Sequence, residues 1–157
     1  MSKKLVKIET DVDKLHRVSE VVDLNNLTLL NSIERALRDT FHEMKGAMKG
    51  LAAIQVGYPS QAILLRYVKG EEPDIVYNPE VLFKFGLRSS NEGCMSEGDD
   101  RYIVKRPLLI KVRYQTKYRQ TITQWLPYSK ARVFMHEFDH LAGILLQDKG
   151  ILVESKK

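Results

Sequence analysis

Two histidines four residues apart, His136 and His140, sit in the segment HEFDHLAG near the end of the chain. On a helix, side chains at i and i+4 share one face, so both imidazoles can reach one ion. Glu137 follows the first histidine. In this HExxH arrangement it can act as a general base towards a water on the ion without ligating the ion itself. Two solvated histidines on a polar helix would spell the same five letters. The pattern therefore needs a third ligand before it means a metal.

The chain has four histidines and one cysteine. His16 lies in a polar lead-in and His42 beside an apolar stripe, and both read as surface or partly packed residues. Beyond His140 there is no further histidine or cysteine, and Asp148 and Glu154 are the acids available there. Cys94 is the better candidate. A thiolate is a strong ligand for zinc or ferrous iron. One sulfur and two nitrogens also leave a fourth position for water, the mark of a catalytic site. The alternative for a lone cysteine is a small buried hydrophobe, and with one cysteine no internal disulfide can form.

Something must hold these groups together. From Asn26 onward, Leu27, Leu30, Ile33, Leu37, Phe41 and Met44 recur at three- and four-residue steps, which predicts a helix with one apolar stripe. Asn25 or Asn26 can cap its start, and Gly46 and Gly50 are places for it to stop. GLAAIQVG at 50–57 is small and apolar, so backbone can approach a ligand closely there. Strands are expected over 61–68, over 74–86 with an interruption at Pro79, over 101–115, and over 118–126, the last two joined as a hairpin. Residues 3–9 read as a short strand or extended lead-in. Pro127 fits the first turn of a second helix, which carries both histidines and stops near Gly143. The expected class is α+β: antiparallel strands packed around a central HExxH-bearing helix, with an N-terminal helix, in one domain over residues 1–157.

Composition bounds the rest. With 157 residues and 43% hydrophobic content, the chain can bury a core and is not disordered. It has no apolar run of membrane-spanning length, and its first residues lack a secretory h-region. The net charge of +5 is scattered, and no nucleic-acid motif accompanies it. Loose contact with an anionic surface such as a ribosome remains open.

Three segments in order, GLAAIQVG at 50–57, EGCMS at 92–96 and HEFDHLAG at 136–143, resemble the three signature segments of the peptide deformylase family. The resemblance implies a hydrolase that removes the formyl group from the initiator methionine of nascent chains. It implies that Cys94, His136 and His140 bind one divalent ion, Fe²⁺ as the usual ion, with Ni²⁺, Co²⁺ or Zn²⁺ able to substitute. A water on that ion attacks the formyl carbon, with Glu137 as general base and then proton donor. Gln55 and the Met95 N–H stabilise the oxyanion, a role that electrostatics demands of some donor. Gly50, Leu51, Gly93, Arg101, Val133 and Met48 are the implied substrate contacts. The implied partner is an N-formyl-methionyl peptide, with transient ribosome contact, no specific nucleic acid and no membrane. A monomer is expected, in the cytoplasm of a bacterium, in a phage host, or in an organelle.

The chain departs from the family pattern at Met48, where a glycine is usual, and at Arg132, where an apolar residue is usual near the pocket. It also resembles the short members, phage-encoded ones among them, that lack a long C-terminal helix. Two other functions compete. A metal amidase or peptidase could use the same site on another acyl group. A non-catalytic binder of nascent chains would not need Cys94, Gln55, Glu137 and both histidines together.

Overall fold

Asn26 opens the longest helix. Its side chain accepts a hydrogen bond from the Leu29 N–H, 3.1 Å away, satisfying a donor the helix cannot pair internally. The computed structural model describes residues 8–45 and 47–154. A short helix α1 (Val12–Leu15) precedes this long one, α2 (Leu27–Glu43). Leu30, Ile33, Leu37 and Phe41 of α2 are buried as the stripe predicts, whereas Leu27, in the first turn, stays exposed. The helix ends at Glu43, before Lys45 takes a left-handed φ of 53°. The expected stop at Gly46 lies outside the described residues. So does most of the expected lead-in at 3–9, of which Ile8 and Glu9 are described and belong to no strand.

The strands follow as β1 (Gly50–Ala52), β2 (Ala62–Leu65), β3 (Asp74–Phe85), β4 (Arg88–Gly93), β5 (Arg101–Arg106), β6 (Leu109–Gln115) and β7 (Thr121–Pro127). Then come α3 (Tyr128–Leu141), α4 (Leu146–Lys149) and β8 (Ile151–Glu154). They form two antiparallel sheets, β1-β2-β3-β6-β7 and β4-β5-β8. β1 and β4 are therefore both edge strands.

Alternation along β2 shows how the layers sit. Ile63 and Leu65 belong to the core shared with Ala131, Phe134 and Met135 of α3. Ala62 and Leu64 belong to the core shared with Ile33, Leu37 and Phe41 of α2. The larger sheet is thus covered by α2 on one face and α3 on the other, as the period-2 pattern of a strand allows. The helix bearing both histidines packs on one face of the larger sheet, and the mix of helices with antiparallel sheets is as expected.

Two local expectations are corrected, and one strand was not expected. Residues 101–115 are two strands in different sheets, not one. Pro107 has no N–H for a ladder, and after it the Leu108 N–H donates to the Phe85 carbonyl at 3.0 Å. Pro127 ends β7 and caps α3 from outside the first turn. β4, reading RSSNEG, has no apolar alternation by which to recognise it. The hairpin of β6 and β7 is as expected, with Gln115 paired to Thr121.

The C-terminal end of α3 is fixed by distant chain. Beyond its end, Gly143 has φ 73°, and its Cα side faces the His16 carbonyl so closely that no β-carbon fits. The Ser19 N–H donates to the Leu141 carbonyl at 2.9 Å. Only glycine meets both the left-handed backbone and the close approach.

Candidate metal and catalytic site

On α3, Arg132, Val133, His136 and Glu137 line one cleft. They fall at i, i+1, i+4 and i+5, one helical face. His140 lies a turn further, buried beneath. Cys94 arrives from the end of β4, where the chain turns into a 3-10 turn over Met95–Glu97. The Cys94 sulfur and one ring nitrogen each of His136 and His140 lie within 4.8 Å of one another. Cys94 Sγ and His140 Nε2 are 3.5 Å apart. Ligands in a tetrahedral zinc site with ordinary bond lengths stand roughly 3.3–3.8 Å from each other, so the donor set fits a single small ion. The other candidates are elsewhere. His16 Nε2 pairs with Asp148 at 3.0 Å, and His42 faces Glu72 at 3.9 Å.

His136 is oriented from behind, whereas the buried His140 Nδ1 has no hydrogen-bond partner among the described residues. His136 Nδ1 lies 3.0 Å from Glu92 Oε1, which leaves Nε2 for an ion. Arg106, 1% exposed, donates from Nε and Nη2 to the two Glu92 oxygens at 3.0 and 2.8 Å. Its Nη1 donates to Asp139 at 2.6 Å, and Lys149 donates to the same Asp139 oxygen at 2.9 Å. Burial pushes the Glu92 carboxyl up, but the bonds from His136 and Arg106 outweigh it and bring its pKa down to about 2. For His140 burial dominates and lowers the pKa to about 3, so its ring is neutral, the form a ligand must have. For His136 burial opposes charge, while contacts with Cys94 and Glu92 raise the pKa.

Glu137 is 4% exposed and its Oε2 has no hydrogen-bond partner among the described residues. Burial raises its pKa to about 7, against the pull of His136 and Arg106. A carboxyl near neutrality with a free oxygen in a cleft is suited to exchanging a proton. A cation held beside it would favour the carboxylate.

Gln55, 2% exposed, sits in a 3-10 turn (Ala53–Val56) after β1. Its Oε1 accepts from the Ala52 N–H at 2.9 Å, so its amide nitrogen must face the other way. That nitrogen donates to Ser96 Oγ at 3.0 Å and approaches Cys94 Sγ at 3.6 Å.

The cleft has a volume of about 510 Å³. Met48, Gly50, Gly93, Met95, Arg101 and Val133 line it. Leu51 does not: it is 1% exposed and packs into the core under α2, so any ligand contact there falls to its main chain. Arg101 binds Asn91 through Nε and Nη2, at 2.8 and 3.0 Å.

Glu92, Arg106 and Asp139 went unassigned in the sequence. A signal existed for Arg106, which falls on the same inward row of β5 as Tyr102 and Val104. A charged residue on a buried row implies buried partners.

A family model described as polypeptide deformylase matches residues 2–156. A peptide deformylase of Lachnoclostridium phytofermentans is 33% identical over 152 residues, 95% of this chain and 90% of that one. One from Thermotoga petrophila is 39% identical over 122 residues, 77% of this chain and 71% of that one. The crystal structure of the Thermotoga maritima peptide deformylase superposes with a TM-score of 0.81 at 32% identity, covering 94% of this chain and 98% of that one. A Met-Ala-Ser-bound class I type b peptide deformylase from Acinetobacter baumannii gives a TM-score of 0.82 at 29% identity, covering 95% and 99%.

Proposed function

The chain belongs to the peptide deformylase family, metal-dependent hydrolases that remove the formyl group from nascent peptides, and on that premise we propose how its own residues divide the work. Cys94, His136 and His140 hold one divalent ion, with Fe²⁺ as the native one. The mixed sulfur and nitrogen donor set supports this reading. When bound, the ion polarises the formyl oxygen and acidifies a water.

Glu137 takes a proton from the attacking water and returns it to the leaving amine. Its burial and its unpartnered Oε2 support the role. The Gln55 amide and the Met95 N–H donate to the formyl oxygen as charge develops there. The bond from Ala52 to its oxygen turns the Gln55 amide nitrogen towards Cys94 and Ser96, on the side of the ligands. Glu92 and Arg106 keep His136 aimed at the ion.

The substrate peptide is extended. Gly50 on β1 and Gly93 on β4 lie in edge strands of two different sheets, and both border the cleft. An extended peptide between them can pair its main chain with either edge. Its methionine side chain packs on Val133 and Met48, and Arg101 supports the main chain. The enzyme works as a single-domain monomer in the cytoplasm. Its net charge of +5 supports transient contact with the ribosome.

The observation that carries this reading is the convergence of Cys94, His136 and His140 beside a buried Glu137. Formate release from formyl-Met-Ala-Ser by the iron-loaded protein tests it. Cleavage of internal bonds in unformylated peptides would replace it with a general peptidase.

A further inference from the structure

The cleft carries charges that deformylation does not use. Lys49 enters it with β1 and Arg132 with α3, two elements that meet where Gly50 touches Glu137. Asp99 and Asp100 enter from the turn between β4 and β5. Arg132 is half-buried and makes no hydrogen bond or ion pair among the described residues, and the Lys49 ammonium makes none either. The other arginines of this region are engaged: Arg101 with Asn91, Arg106 with Glu92 and Asp139.

A half-buried guanidinium has lost part of its hydration and keeps five donors in a planar fork that matches a carboxylate. Arg132 stands one turn before His136 on the same helix, about 5.4 Å along the axis. With the formyl group at the ligands, that displacement brings Arg132 to the first residues of the bound peptide. We propose that Arg132 is a specificity-determining residue that receives a carboxylate side chain carried on the first or second residue after the formylated methionine. Lys49 adds positive potential on the same side, and Asp99 and Asp100 repel an acidic side chain from the opposite turn. The inference rests on the deformylase reading for what enters the cleft.

The test compares formyl-Met-Glu-Ser-amide with formyl-Met-Gln-Ser-amide, and formyl-Met-Ser-Glu-amide with formyl-Met-Ser-Gln-amide. Free-acid formyl-Met-Gln-Ser tests a terminal carboxylate. At low salt, kcat/KM should favour Glu over Gln about five- to tenfold in one of the pairs, carried mainly by KM and shrinking as salt rises. In Arg132→Met the ratio should fall to about one, in Arg132→Lys it should persist, and in Arg132→Glu it should invert.

Calorimetric binding of Met-Glu-Ser-amide, Met-Gln-Ser-amide, Met-Ser-Glu-amide and Met-Ser-Gln-amide should give the same ratio without turnover. Two results would overturn the assignment: Glu and Gln ratios near one in the unmodified enzyme, or a preference that survives Arg132→Met. A preference seen only with the free acid would also overturn it. If no peptide releases formate while the calorimetric ratio holds, the deformylase reading fails and the Arg132 assignment stands.

Discussion

Gly50 and Glu137 lie against each other: a β-carbon on Gly50 would stand 2.7 Å from Glu137 Cγ and 2.8 Å from its Oε1. The proposed base is thus placed by a residue outside its helix, one with no side chain. Gly50→Ala should push Glu137 away from the ligands without touching any of them. Turnover should fall by about 10²-fold, since a displacement of an ångström in a catalytic group can cost that much. Metal content, measured by elemental analysis, should stay near one ion per chain.

Glu137→Gln keeps the volume and loses the base. Metal occupancy should persist while kcat drops by about 10²-fold or more, the usual scale for a positioned acid–base group. Near-normal turnover would remove Glu137 from the mechanism.

Cys94→Ala should lose most of its metal, because His136 and His140 alone cannot close the site. The iron form of the unmodified protein should inactivate in air faster than the nickel form, since both Fe²⁺ and the thiolate oxidise. Full occupancy and activity in Cys94→Ala would void the ligand assignment.

Arg106→Met should destabilise the fold by about 3–5 kcal/mol, because it leaves Glu92 and Asp139 buried without their shared cation. Urea unfolding at neutral pH measures this. The pairing of Lys149 with Asp139 should soften the loss on that side, so the double variant Arg106→Met, Glu92→Gln should recover part of it.

Acetyl-Met peptides should be hydrolysed far more slowly than formyl-Met peptides, because oxyanion donors at Gln55 and Met95, placed as proposed, would leave room for a hydrogen on the carbonyl carbon and little for a methyl. Met48, 6% exposed at the cleft wall, should narrow tolerance for branched first residues. Met48→Gly should widen that tolerance with metal content unchanged. Comparable rates on acetyl and formyl peptides would point to a broader amidase.

The parts of this protein legible in its sequence are those with a repeating or chemically unusual signal. The α2 stripe and its Asn26 cap could be read because helix periodicity and capping are local. Cys94, His136 and His140 could be read because few residue types bind metals. β4 could not, since the residues on its buried row, Ser90 and Glu92, are polar and leave no apolar alternation to read. Arg106 escaped because its partners, Glu92 and Asp139, come from other elements, and only the packed fold brings them together. Proline at 107 is a local signal, but two strands in a row looked like one until their sheets were known.

The two edge strands beside the cleft have a consequence for breadth. Main-chain pairing reads only the feature that every polypeptide shares, its regular N–H and C=O groups, and is blind to side-chain identity. An enzyme pairing its substrate this way would accept newly made chains of many sequences after the first residue. What it rejects is chemistry rather than sequence: a proline or an N-methylated bond just after the methionine removes a donor and unseats the strand. On the proposed pairing, eligibility beyond the first residue would be decided by backbone, and a contact such as Arg132 would rank the eligible chains by speed.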